Sequence, residues 1–237
     1  MIVIKNSKYL ELLSKFGIGG AHPGGLNLTK KLFKLEKINR NSKVLDVGCG
    51  TGQTAAYLAY KYGANVTGID VNSTMVAKAK QRIRKNRLPV KIIQGSIERN
   101  SLPDHHFDFI ISESVLSFVN KPRALQEIFR LLKDGGRFIA IELTIINRLS
   151  EKEKHEIEQF YGMDSLNTKK DWVALLKEAG FEQIRILKNT NINSDPEFHF
   201  SEDIDPKLNE IMEKHFDIVS KYLASNYRIY TCTKKLG

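Results

Sequence analysis

The chain has 237 residues, 41% of them hydrophobic and 27% charged, which suits a soluble globule with a real core and excludes a disordered or fibrous protein. Its two cysteines, Cys49 and Cys232, exclude a disulfide framework and a cysteine-based metal centre. A formal charge of +10 invites a nucleic-acid partner, so the distribution of that charge matters.

The opening MIVIKNSKYLELL has too short an apolar stretch for a signal peptide, and no later run reaches the length of a membrane span, so a cytoplasmic protein is expected. The first 40 residues read as a cap. GIGGAHPGGLNLT within them is a shaped loop whose His22 can exchange a proton near neutral pH.

From residue 41 to 188, compact apolar runs alternate with helical patterns, as in a parallel sheet built from βαβ units. Strands are expected at Lys43–Val47, Asn65–Ile69, Val90–Gln94, Phe107–Ser112, Gly136–Leu143, Glu182–Lys188 and Tyr227–Thr233. Helices are expected at Gln53–Tyr62, Ser73–Arg87, Pro122–Leu132 and Lys169–Ala179. Ser73 reads as an N-cap, Asp134-Gly135-Gly136 as a helix stop and Gly180 as a C′ glycine. The stretch 189–226, with a helix from Asp205 to Leu223, reads as an insertion before the last strand. The whole is expected to be one domain, with the segments outside the alternation capping the C-terminal edge of the sheet, where open α/β folds bind ligands.

Seven basic residues fall between Lys78 and Lys91 with no acid among them. Met75, Val76, Ala79 and Ile83 recur there at helical spacing, so the favoured reading is the wet side of an amphipathic helix.

The run VLDVGCGTGQ, Val44 to Gln53, poses the functional question. A nucleoside triphosphate would need Gly-Lys-Ser/Thr at its end, which is missing. Gly50, Gly52 and Ala55 meet the G-x-G-x-x-G/A spacing of dinucleotide binding, with Asp70 at the expected distance. Asp46, however, would oppose a pyrophosphate and welcome a cation. S-adenosylmethionine is such a cation, with no phosphate.

Asp46-x-Gly48-x-Gly50-x-Gly52 resembles motif I of class I S-adenosylmethionine-dependent methyltransferases. VTGIDVNSTMVAKAK, FDFIISESVLSFVN, LLKDGGRFIAIE and KKDWVALLKEAGFEQIRI resemble that family's later strands and helices. The resemblance implies a Rossmann-like three-layer α/β sandwich, whose seven-stranded sheet is mostly parallel with an antiparallel last strand, plus a helical cap. It implies S-adenosylmethionine as cofactor, with Gly48, Cys49, Gly50 and Gly52 at its methionine end and Asp70 on both ribose hydroxyls. Val71 and Met75 would pack on adenine, with Ser96 and Ile97 at the adenine edge and Ser112 at the end of strand four. Many relatives carry an aspartate where Ser96 stands.

Ser112-Glu113-Ser114-Val115 lacks the Asn/Asp-Pro-Pro-aromatic motif of methyltransferases that modify exocyclic amines of nucleic-acid bases. A small organic acceptor is therefore expected, with His22 and Glu113 as candidate proton-transfer groups and His155, Tyr161 and His199 as weaker ones. His105 and His106 are expected in a turn. An RNA methyltransferase and a non-catalytic S-adenosylmethionine-binding protein remain open, and a dehydrogenase is a more distant reading.

Overall fold

The computed structural model describes residues 7–187, 206–223 and 226–235. Two helices come first, α1 (Lys8–Phe16) and α2 (Gly25–Phe33). There follow β1 (Lys43–Val47), α3 (Gln53–Tyr62), β2 (Asn65–Asp70), α4 (Ser73–Lys85) and β3 (Val90–Gln94). The second half holds β4 (Phe107–Glu113), α5 (Lys121–Leu131), β5 (Leu132–Leu143), α6 (Glu151–Tyr161) and α7 (Lys169–Glu178). It closes with β6 (Phe181–Leu187), α8 (Pro206–Ile218) and β7 (Tyr227–Lys234).

The strands form one seven-stranded sheet in the order β3-β2-β1-β4-β5-β7-β6. β1 pairs in parallel with β2 and β4, and β7 runs antiparallel to both β5 and β6. The apolar runs of β1 and β4 are buried on both faces, as central parallel strands covered by helices must be. One core face gathers Leu45, Ile110, Phe138, Trp172 and Tyr230. The other places Val44, Ile111 and Ile139 against Leu58 and Phe33. A separate cluster, with Leu12, Leu13, Ile157 and Tyr161, joins α1 to α6 and α8 as a roof.

α3, α7 and the strands other than β5 lie within a residue or two of their expected bounds, while β5 begins at Leu132, four residues before the expected Gly136. Three local expectations are corrected. Asn72, not Ser73, caps α4: its side chain accepts from the Met75 amide at 3.1 Å, and Ser73 is already helical. α4 ends at Lys85, two residues early, because Asn86 and Arg87 leave the helix and Arg87 takes φ 51°. Asp134-Gly135-Gly136 does not stop a helix. α5 ends at Leu131, where Leu132 turns extended to pair with Phe107, and the glycines lie inside β5. The insertion's helix spans Pro206–Ile218 and continues as a π-turn over Val219–Leu223, while Lys188, Asp205 and His199 lie outside the described residues.

The basic stretch behaves as an amphipathic helix. Met75, Val76, Ala79 and Ile83 are buried, and two of its cations are engaged with backbone. Lys78 Nζ donates to the carbonyls of Ser14 and Lys15 at 2.9 Å, placing a cation at the C-terminal end of α1. Arg82 Nε donates to the Thr51 carbonyl at 2.8 Å and so pins the glycine bend.

Candidate active site

β1 to β5 deliver their C-terminal ends, or the residue just beyond, to one cavity of about 380 Å³. It borders Gly48 after β1, Asp70 on β2, Gly95 after β3, Glu113 on β4 and Leu143 on β5. The sheet order reverses between β1 and β4, the switch point where such folds open a crevice. Helices α1 and α8, with the end of α6, roof that crevice.

Asp46, the residue before Val47 at the end of β1, is 2% exposed and lines the cavity. Its Oδ2 has no hydrogen-bond partner among the described residues. Burial, then repulsion from Glu113 and Asp70, pushes this carboxyl well above the usual range, and the Ala55 amide offsets part of that. A buried carboxyl held in this state is relieved by a cation placed beside it.

The three glycines of the bend all have positive φ, 62° at Gly48, 51° at Gly50 and 74° at Gly52, but they do different jobs. A Cβ on Gly48 would meet Val115 Cγ2 at 2.4 Å, and one on Gly52 would meet Ala79 Cβ at 3.2 Å. A Cβ on Gly50 would meet nothing within 4 Å. Gly50 therefore opens to the cavity, Gly48 lets the β4 loop approach and Gly52 lets α4 pack on the bend. Gly52, also expected at the methionine end of the cofactor, is not among the residues that border the cavity. Cys49 borders it but is 8% exposed, and burial raises its thiol far above the reactive range.

Asp70, ending β2, accepts from the Gly50 amide through Oδ2 and from the Asn72 amide through Oδ1, both at 2.8 Å. These bonds lock the bend to β2. Asp70 itself lines the cavity, and a carboxylate has capacity to accept more than these bonds. Burial raises its carboxyl and the amides of Asn72, Gly50 and Val71 draw it back, with a net upward shift. Val71, Met75, Ser96 and Ile97 also line the cavity. Ser96 Oγ accepts from the Glu98 amide at 3.1 Å, which shapes the loop after β3.

Ser112, expected at the end of strand four, is set back behind the cavity wall. It is fully buried, lies off the cavity and donates to Glu142 Oε1 at 3.0 Å. That same oxygen accepts from the amides of Val115 and Leu116 at 3.2 and 3.1 Å. Glu142 on β5 thus organises the loop after β4, in which Ser114 sits at φ 59° on the cavity wall. Local strain of this kind is held by such a network.

His22 and Glu113 come together although 91 residues separate them. His22 Nε2 lies 3.5 Å from Glu113 Oε2, and both side chains are nearly buried, at 3% and 9% exposure. Thr29 and Thr54 hydroxyls donate to the two Glu113 oxygens at 2.6 Å. Both His22 and Glu113 line the cavity. The glycine-rich loop that carries His22 packs tightly on the bend: a Cβ on Gly19 would lie 2.1 Å from Thr51 Oγ1. Of the weaker candidates, Tyr161 lines the cavity and His155 is exposed on α6. His105 lies in the expected turn, with His106 following it before β4. Residues the sequence reading missed are Thr54, in the first turn of α3, and His215 on α8, whose Nδ1 lies 2.8 Å from Tyr161 Oη.

An orphaned carboxylate oxygen, a side-chain-free bend facing space and a carboxylate at the end of β2 fit a sulfonium nucleoside with an amino-acid end. Comparison with known proteins agrees. The profile of a family described as a methyltransferase domain matches residues 45–140. An uncharacterized methyltransferase of Bacillus subtilis, YodH, is 35% identical over 220 residues, covering 91% of this chain and 94% of the relative. Phosphoethanolamine N-methyltransferase 1 of Arabidopsis thaliana is 30% identical over 181 residues, 76% of this chain but 37% of that longer enzyme. Among solved structures, phosphoethanolamine N-methyltransferase 2 of Haemonchus contortus, in complex with S-adenosyl-L-methionine, superposes with a TM-score of 0.76. Its identity is 19%, over 99% of this chain and 60% of that one. The chain belongs to the class I S-adenosylmethionine-dependent methyltransferases, and S-adenosylmethionine is its cofactor. Among the described residues no helix is long and apolar enough to cross a membrane.

Proposed function

We propose that this methyltransferase acts on a small organic acceptor held in the roofed cavity, as one catalytic domain built from cap, core and insertion. The observation that carries the reading is the roof itself: α1 and α8 leave an internal space of about 380 Å³, the scale of a small-molecule site. The names of relatives that act on phosphoethanolamine support a small acceptor in general terms. Engagement of Lys78 and Arg82 with backbone carbonyls weakens the RNA alternative, which needs those cations on phosphates. Two buried free thiols, Cys49 and Cys232, support a reducing, cytoplasmic setting.

In this reading Asp46 holds the cofactor's ammonium group, Gly50 admits its methionine end and Asp70 accepts from the ribose hydroxyls. Val71, Met75 and Ile97 cover the adenine, with Ser96 at its edge. When bound, the cofactor supplies an activated methyl for in-line displacement. The chain aligns the acceptor, excludes water and handles a proton where one must leave. His22, oriented by Glu113, is the group placed for that proton, and Glu113 is fixed by its two threonine donors. His22→Ala should cut turnover at least tenfold while S-adenosylhomocysteine affinity, measured by calorimetry, changes little. Unchanged turnover with unchanged affinity would remove His22 from the chemistry. Transfer of a labelled methyl group into pooled metabolites, with added RNA as a parallel arm, would identify the acceptor; label only in RNA would overturn the small-molecule reading.

A further inference from the structure

The cavity lining falls into two sets. One is the donor cradle of Asp46, Gly50 and Asp70. The other comes from the roof and the loop after β4, with Leu10, Leu13, Phe118, Met163, Phe216 and Val219 as apolar walls. This second set includes a buried polar contact between two roof helices. Tyr161 Oη and His215 Nδ1 are 2.8 Å apart, and the two residues are only 3% and 9% exposed. Tyr9 braces both, stacked on His215 at 4.8 Å and edge-on to Tyr161 at 4.9 Å. A polar pair in an apolar wall costs desolvation that two apolar side chains would avoid, and its aromatic neighbours fix its direction.

The charge of the cavity is equally one-sided. Asp46, Asp70, Glu98 and Glu113 border it, and among the described lining residues there is no Lys or Arg. A phosphomonoester carries close to two negative charges and is bound by Arg, Lys or helix N-termini. In this cavity it would face carboxylates across a poorly screened interior.

Building on the methyltransferase reading above, we propose that the roofed half of the cavity takes an uncharged, largely apolar molecule. Its hydrogen-bonding group docks on the Tyr161–His215 pair, and phosphorylated amines are rejected. Tyr161 and His215 are then specificity-determining residues, distinct from the donor cradle.

The test uses the full chain loaded with S-adenosylhomocysteine and 2-naphthol, an uncharged fluorescent phenol, as probe. Loading is measured first by calorimetry, so that failure of the cofactor reading is seen separately. The loaded protein should bind 2-naphthol saturably, and a large excess of phosphoethanolamine should not displace it. Tyr161→Phe and His215→Leu should each weaken probe binding roughly tenfold with S-adenosylhomocysteine affinity unchanged. His215→Asn, whose amide can still pair with the Tyr161 hydroxyl, should restore most of the loss. Absence of saturable binding, displacement by phosphoethanolamine, or full probe affinity in both the Tyr161→Phe and His215→Leu variants would overturn the proposal.

Discussion

Asp46 carries a buried carboxylate oxygen without a partner among the described residues, so its charge burdens the empty protein. Asp46→Asn should leave the melting temperature of the unliganded protein unchanged or raised at pH 8, yet weaken cofactor binding at least tenfold. A parallel melt and calorimetric titration checks both signs. The glycines separate in the same way. Gly50→Ala places its methyl in open space at φ 51° and should cost about 1 kcal/mol of stability while obstructing the cofactor. Gly48→Ala drives a methyl to 2.4 Å from Val115 and should cost roughly 2 kcal/mol or more before any ligand is added. Equal losses of stability in the two variants would contradict this division.

At the scale of elements, Glu142 ties β5 to the loop after β4 through Ser112, Val115 and Leu116. Glu142→Leu strands two buried or half-buried amides and should lower stability by roughly 2–3 kcal/mol in denaturant unfolding, whereas Glu142→Gln keeps an acceptor for them. This tie also explains where reading the sequence succeeded and failed. Asp46, Gly50 and Asp70 were legible because strand ends and a glycine bend are local features whose spacing fixes their meeting place. The bond from Ser112 to Glu142 was not legible, because the partner lies 30 residues away on a strand whose register no local signal gives. The positive φ of Gly52 was foreseeable, but its contact with Ala79 was not. One helix start was available and passed over: Ser150 with Glu153 forms a reciprocal capping box at the start of α6, as Thr168 with Asp171 does at the foreseen start of α7. The Tyr161–His215 contact spans 54 residues between two roof helices, and helical periodicity alone cannot register one helix against another.

The molecule as a whole should lose stability as pH rises through neutrality. Burial lifts the Glu142 carboxyl from 4.5 to about 7, against hydrogen bonds that pull the other way. The folded chain therefore keeps a proton that the unfolded chain releases across that window. Stability contributed by this group is intact below about pH 4.5 and falls as pH rises through about 7, by on the order of 3 kcal/mol. Asp46 and Asp70, also raised, act with the same sign. Unfolding measured from pH 5 to pH 8 should show a steeper decline for the wild type than for Glu142→Gln; equal slopes would mean that Glu142 ionises freely in the folded protein.

The place of β7 between β5 and β6 has a bearing on synthesis at the ribosome. Among the described residues β6 pairs with β7 alone, so its ladder bonds wait until Tyr227–Lys234 has emerged from the exit tunnel. α8, which carries His215, precedes that same strand. A nascent chain can thus order the strand ends that carry Asp46, Gly50 and Asp70 before α8 and β7, which border the roofed side of the cavity, are available.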